Sequence, residues 1–427
     1  MLPDIVTSIP GPKSRELARR LARVESRNVT FANDEWPVFW ARASATSVWD
    51  VDGNRFLDLT SAFAVTGLGH TNNAVSAALQ QQACLLMHAM GDVHPAGLKV
   101  ELCEKLSAMT FQRWNRGTAK TILCNAGFEA VEAALKTAFL RTGRPKIITF
   151  EGAYHGLGYG TLMAGGIKRF REPFTRQLGD LAVSLPYPST PHDLDKALAS
   201  NEIGAILVEP ILGRGGKVVP PPDFLPMLRE KADASGAALI FDEIYTGLNR
   251  TGRLFACEHT GAVPDIICLG KALASGFPLS ACVGKADIMD GWPASDGEAL
   301  HTTTSMGNPL GCRMALAALG QHDDPNLAGK VETAGAAFRE ALESIDSPRR
   351  GNVRGLGLML GLEILDDSGK PNGSLAGQLV VQGLKDGLIL LADGPDGHVL
   401  ALAPPFEIST GEIEFVRDWL AKQLSNG

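Results

Sequence analysis

Residues 238–271 read ALIFDEIYTGLNRTGRLFACEHTGAVPDIICLGK, and the two apolar runs in this stretch decide the fold. The first, ALIF, stops at Asp242 and Glu243; the second, IICL, stops at Gly270 and Lys271. A strand with one wet face alternates apolar and polar residues, whereas a strand covered on both faces is an unbroken apolar run. Both runs therefore predict buried, parallel strands with charged groups where the chain emerges. Such emergence points are where open α/β sheets bind their ligands.

The same pattern extends outward. AKTILCN (119–125), KIITFE (146–151) and AILVEP (205–210) read as further strands, and EAVEAALKTAFLRTG (129–143) as a helix ending at Gly143. The expected architecture is α/β, a mostly parallel sheet with helices on both faces. The residues after Phe150 (YHGLGYG, GGIKRFREPF and LPYPSTPHD) are expected to form a long functional loop. From about residue 320 the pattern becomes helix (330–345), strand (357–365), helix and strand (398–404). This predicts a large domain over residues 61–320 and a smaller α+β domain over 321–427, with residues 1–60 joining the small one.

Three of the strand ends carry chemistry. CNAGFEAVEAALK (124–136) puts Ala126, Gly127 and Phe128 where a helix begins, and free backbone N–H groups at a helix start suit a phosphate. An Ala-Gly pair also serves plain turn geometry. Asp242, at a buried strand end, needs a positive partner: a protonated pyridine nitrogen, a structural arginine or a metal. Lys271 is followed by small residues and Gly276, which let a flat ligand approach the backbone. Burial there lowers its proton affinity and makes the amine nucleophilic, although a lysine at a strand end can also snorkel to water. Taken together, the phosphate loop, the acid and the lysine match what pyridoxal 5'-phosphate (PLP) requires.

Composition narrows the classes. The 427 residues are 45% hydrophobic and 20% charged, with a net charge of −7, which argues against a nucleic-acid partner. No apolar run is long enough to span a bilayer, and the N-terminus lacks a secretion signal; the Arg-rich ELARRLARVESR imitates a transit peptide but reads better as a surface helix. The seven cysteines are odd in number and form no CxxC, so buried free thiols in a reducing cytoplasm are expected. The nine histidines show no metal-ligand spacing, and no metal site is expected.

The chain resembles the class III (ω-amino) aminotransferases, PLP enzymes of fold type I, from about Trp49 to Phe406. The segments that carry the resemblance are VWDVDGNRFLDLTSAFAVTGLGH (48–70), CNAGFEAVEAALK, FEGAYHG (150–156), VEPILGRGG (208–216), FDEIYTGLNRTGR (241–253), CLGKALASGFPLSACVG (268–284), TTTSMGNPLGC (302–312) and RGLGLMLGLE (354–363). The resemblance implies that Lys271 forms the internal aldimine and Asp242 pairs with the pyridinium. It implies that Tyr154 stacks on the ring, that His155, Ile244 and Tyr245 line the cofactor, and that Ala126, Gly127 and Phe128 cup the phosphate. Thr304 would reach the phosphate across a homodimer interface, making the active site shared. Glu209 and Phe63 would face substrate. The implied reaction moves an amino group from an amine or ω-amino acid to a 2-keto acid, pyruvate or 2-oxoglutarate, through pyridoxamine phosphate. An aminomutase, decarboxylase or amine lyase on the same scaffold, or an idle PLP-fold binding protein, is the alternative.

Three departures concern substrate. Ala401 stands where relatives that handle 4-aminobutyrate or ornithine carry a carboxylate-gripping arginine; Leu157 replaces a second arginine, and Tyr245 replaces a glutamine. Arg214, or Lys168, Arg169 and Arg171, are candidates for a relocated carboxylate anchor, since a guanidinium suits bidentate recognition.

Overall fold

A computed structural model of the chain describes residues 1–425. It divides into two compact units, residues 73–329 and residues 1–72 with 330–427.

The first unit is built on a seven-stranded sheet. Its strands are β1 (Ala119–Cys124), β2 (Lys146–Phe150), β3 (Ala182–Leu185), β4 (Ile203–Val208), β5 (Ala238–Asp242), β6 (Ile266–Leu269) and β7 (Ser280–Lys285), in the spatial order β1-β7-β6-β5-β4-β2-β3. The neighbours from β3 through β6 pair in parallel, and β7 runs antiparallel to both β1 and β6. Only β7 is thus reversed. Every residue of β4, β5 and β6 is buried, which accounts for their unbroken apolar sequence.

Helix α1 (Gly127–Thr142) crosses this sheet. Its Ala130, Ala133, Ala134 and Ala138 form one core cluster with Leu207, Ile240, Ile266 and Cys268. Small side chains on the helix bring its axis close to these strand residues, and each apolar contact removes area from water at about 25 cal/mol/Å².

The stretch after Phe150 differs from the expected loop. It contains two short helices (Tyr159–Ala164 and Lys168–Arg171), a 3₁₀ segment (Glu172–Gln177) and the edge strand β3. The helices are too short to give a periodic signal, and an edge strand is only half buried.

In the second unit, strands Trp40–Ser44, Ser47–Asp50 and Arg55–Asp58 form a sheet completed by Leu388–Ile389. Val48 and Phe56 share a core with Leu384 and Ile389, so the chain's beginning and its last quarter fold as one body. A second, antiparallel sheet holds Arg350–Leu356, Met359–Ile364, Leu391–Asp393 and Val399–Leu402. The N-terminal helix Pro12–Val24 is largely exposed, as its charge pattern implies. Two cysteines depart from expectation: Cys103 is only half-buried, and Cys84 is exposed, because the apolar run beside it lies at a surface rather than in a strand.

Candidate active site

Since β1, β2, β4, β5 and β6 all run the same way, their carboxyl ends share one edge. The chain leaves that edge into the segments carrying Ala126, Tyr154, Glu209, Asp242 and Lys271. Successive strand residues point to opposite faces, and this separates the two acids that end β5. Glu243 turns into the interior, accepting hydrogen bonds from Ala256 N (2.9 Å), Cys257 N (2.8 Å) and Thr246 Oγ1 (2.6 Å). It is a structural group. Asp242 faces the site: its Oδ2 lies 2.7 Å from His155 Nδ1 and its Oδ1 accepts from Ile244 N at 3.1 Å.

Burial alone would pull His155 toward the neutral form. The hydrogen bond and charge of Asp242 outweigh it, and the imidazole titrates above its ordinary value. His155 Nε2 is buried without a partner among the described residues. The contact holds the Asp242 carboxylate in a fixed orientation.

Lys271 follows Gly270 at the start of a short 3₁₀ turn, and its backbone is left-handed, with φ of +43°. Non-glycine residues seldom occupy that region, and such strain concentrates at functional positions. Burial lowers the proton affinity of its amine; Asp242 and Glu209 oppose the shift, while the positive charges of Lys217 and Arg214 add to it. The amine lies 4.7 Å from the centroid of the Tyr245 ring.

The helix end expected to receive a phosphate is present but narrower. Glu129 reaches back from the first turn of α1 and accepts from Asn125 N (2.7 Å) and Ala126 N (3.2 Å). The Ala126 amide is therefore committed, and the first-turn amides of Gly127 and Phe128 remain outside the helical ladder. An acid three residues after the cap is the sequence signal for this arrangement. A Cβ on Gly127 would stand 3.0 Å from the tip of the Ile244 side chain, so a larger residue there would require that side chain to shift. Thr304 is exposed, and within the chain its neighbour Thr303 accepts from Asn125 Nδ2 at 3.0 Å.

Glu209 is held by two backbone amides, Tyr154 N at 2.8 Å and Gly213 N at 2.9 Å. Burial pushes its carboxyl up to about 7 despite those amides and the charge of His155. Between its ordinary 4.5 and about 7 the unfolded chain releases a proton that the folded chain keeps. Stability is thus fullest below that window and declines as pH rises through it, by roughly 3 kcal/mol. In Glu209→Gln this decline is absent. Urea unfolding at pH 5 and pH 7.5 shows the variant gaining on the parent at the higher pH; equal differences at both would contradict the buried acid.

Arg214 lies over the rings of Tyr154 (5.1 Å) and Phe170 (5.3 Å), which meet edge to face. Lys168, Arg169 and Arg171 are on the short helix Lys168–Arg171, none of them fully buried. Leu157 is exposed. Phe63 and Ala401 belong to the other unit. Ala401 is buried in its strand, whereas Phe63 is 61% exposed on a left-handed turn in which Ser61, Ala62, Phe63 and Ala64 all have positive φ. Four such residues in succession cost backbone energy, offset locally by Asp58, which accepts from Thr60 N and Ala62 N.

A family model described as aminotransferase class-III matches residues 30–424. The chain belongs to the class III aminotransferase family. It is therefore a PLP-dependent aminotransferase with an α/β fold. It is 34% identical over 419 residues to a 4-aminobutyrate aminotransferase of Escherichia coli, covering 94% of this chain and 96% of that one. It is also 34% identical over 399 residues to a 5-aminovalerate aminotransferase of Pseudomonas aeruginosa, covering 88% and 91%. Among solved structures, the ornithine aminotransferase of Toxoplasma gondii superposes with a TM-score of 0.85 at 28% identity, covering 96% and 94%.

The residues of the sheet edge fit PLP. A buried acid backed by histidine, a lysine of lowered proton affinity and a helix start with two open amides answer its ring nitrogen, aldehyde and phosphate in turn. No helix among the described residues is long and apolar enough to cross a membrane, and no cluster of three or more metal-ligating side chains occurs among them.

Proposed function

We propose that this aminotransferase takes the amino group of an ω-amino acid or amine and passes it to a 2-keto acid, pyruvate or 2-oxoglutarate. The observation that carries the assignment of its residues is the convergence of Lys271, Asp242 and the open start of α1 on one sheet edge. Lys271 would hold the cofactor covalently, Asp242 would pair with its ring nitrogen, the Gly127 and Phe128 amides would receive its phosphate, and Tyr154 would cover its face. When bound, the cofactor supplies an electron sink. Asp242 would keep a proton on the ring nitrogen, and His155 keeps Asp242 in place. Lys271 Nζ would take up the proton from the amine-bearing carbon of the bound substrate, a transfer worth about 10²–10⁴-fold. Glu209 lines the approach to that carbon.

The carboxylate of the keto acid is held by Arg214, which lies against Tyr154 and projects from the loop that Glu209 anchors. The names of the relatives, 4-aminobutyrate and 5-aminovalerate aminotransferase, support a donor with its amine at the end of a short acid. We place the enzyme in the cytoplasm as a homodimer, without nucleic-acid or membrane partners. Exposed Leu85, Met87 and Met90, and exposed Thr304, support a subunit interface that completes the phosphate site.

The test is the visible absorbance of the loaded protein. An ω-amino acid abolishes the band, and pyruvate or 2-oxoglutarate restores it; a band that never converts overturns transamination of these donors. In the same assay Arg214→Ala raises the keto-acid KM about tenfold or more, as loss of a charge-assisted contact requires, while Arg169→Ala changes it less than about twofold. Equal, small effects of both would reject Arg214 as the anchor.

A further inference from the structure

A second lysine sits in this site without a role in the reading above. Lys217 has no exposed surface, and its backbone is left-handed, with φ of +56°. Lysine is seldom fully buried, because removing its charge from water is costly.

The loop around Lys217 is tightly organised. Leu212 and Val218 bridge its base, and the carbonyl of Gly213 accepts from Gly216 N (3.3 Å), Lys217 N (3.3 Å) and Lys217 Nζ (3.1 Å). The N–H of the same glycine donates to Glu209. A Cβ on Gly213 would stand 2.6 Å from Tyr245 Cδ1, so the loop backbone lies directly on the Tyr245 ring. Lys217 Nζ is 4.7 Å from the centroid of that ring, and Lys271 Nζ is 4.7 Å from the same centroid. One aromatic ring thus has an ammonium from the loop and the amine of Lys271 against it. A cation held over a tyrosine face is attracted by the ring quadrupole, more so where water is excluded.

We propose that Lys217 is a positioning residue for Lys271: it pins the Tyr245 ring in place and sets a second positive charge beside the Lys271 amine, favouring that amine's neutral, nucleophilic form. The proposal rests on Lys271 being the cofactor-carrying lysine. Being wholly enclosed, Lys217 acts through Tyr245 and through its field rather than by touching substrate. The charged and titratable groups around Lys271 are Asp242, Glu209, Lys217, Arg214 and Tyr245, with His155 behind Asp242. The two acids hold a proton on Lys271; Lys217 and Arg214 oppose them. Removal of Lys217 tips this balance toward protonation.

The test uses the full-length protein loaded with PLP and titrates the visible band against pH, after borohydride fixation and peptide mapping have located the cofactor in the wild type. In Lys217→Met the midpoint moves upward, so that the protonated fraction in the basic limb rises about tenfold, the scale of one unit charge at this range in a partly polar interior. Lys217→Gln, which keeps a donor for Gly213 but not the charge, shifts the midpoint likewise. Lys217→Arg restores it to within about twofold. If Met and Gln titrate like the wild type, or if Arg shifts as far as they do, the proposal is overturned. A merely structural lysine would change the melting temperature and leave the midpoint in place. Fixation at a residue other than Lys271 would instead reject the underlying assignment, and that failure is visible in the wild type alone.

Discussion

Lys271→Ala loses turnover by on the order of 10⁴-fold, and borohydride no longer fixes PLP to the chain. Two functions disappear together in this variant. On the proposed assignment the amine attaches the cofactor and moves a proton at the amine-bearing carbon, a contribution of about 10²–10⁴-fold by itself. Lys217 is not a substitute, because it is enclosed and engaged with Gly213. Glu209 is nearer in chemistry, but it is occupied by two backbone amides, and at pH 8 its carboxylate is a far weaker base than an amine. Single-turnover mixing of the loaded variant with an ω-amino acid measures the loss directly. Retention of activity within about tenfold would remove Lys271 from the mechanism, whatever became of cofactor binding.

Much of this site was legible in the sequence because parallel strands advertise themselves. ALIF and IICL could hardly be anything but buried strands, and the charged residues that end them had to be either costly or useful. The direction of β7 was not legible. SACVGK is a short run of small residues, and composition does not record whether a strand runs with its neighbours or against them. The edge strand β3 and the short helices before it left no periodic trace. Charge placement was only half readable. Glu209, Asp242 and Lys271 stand at predicted strand ends, but the burial of Lys217 depends on a loop that winds round Gly213, and nothing in GRGGK announces it. The commitment of the Ala126 amide to Glu129 could have been found, since an acid at the third helical position commonly caps. The left-handed turn at Ser61–Ala64 could not, because none of its residues favours that conformation.

Asp242→Asn lowers kcat about 10³-fold while the protein still folds and the phosphate end still binds. The substitution keeps the shape of the side chain and its contact with Ile244 N but removes the charge proposed to hold a proton on the ring nitrogen. A charge-assisted hydrogen bond at a buried site is about twice as strong as a neutral one, and its benefit grows as the reaction draws electrons toward that nitrogen. The same change reaches stability through His155. Its proton affinity is raised in the folded protein because Asp242 faces it at 2.7 Å. A histidine raised in this way contributes stability that is fully present below its unfolded value and is lost as pH rises through the folded one. Replacing the carboxylate with an amide removes that contribution, so Asp242→Asn loses more melting temperature at pH 6 than at pH 9. Thermal unfolding of parent and variant at those two pH values, beside turnover with the best donor, reads both effects on one protein. An equal loss at both pH values would mean that the His155–Asp242 contact carries no proton linkage. Turnover within about tenfold of the parent would mean that another group partners the ring nitrogen. Glu243 cannot be that group, because its carboxylate is consumed by Ala256, Cys257 and Thr246 on the opposite side of the strand.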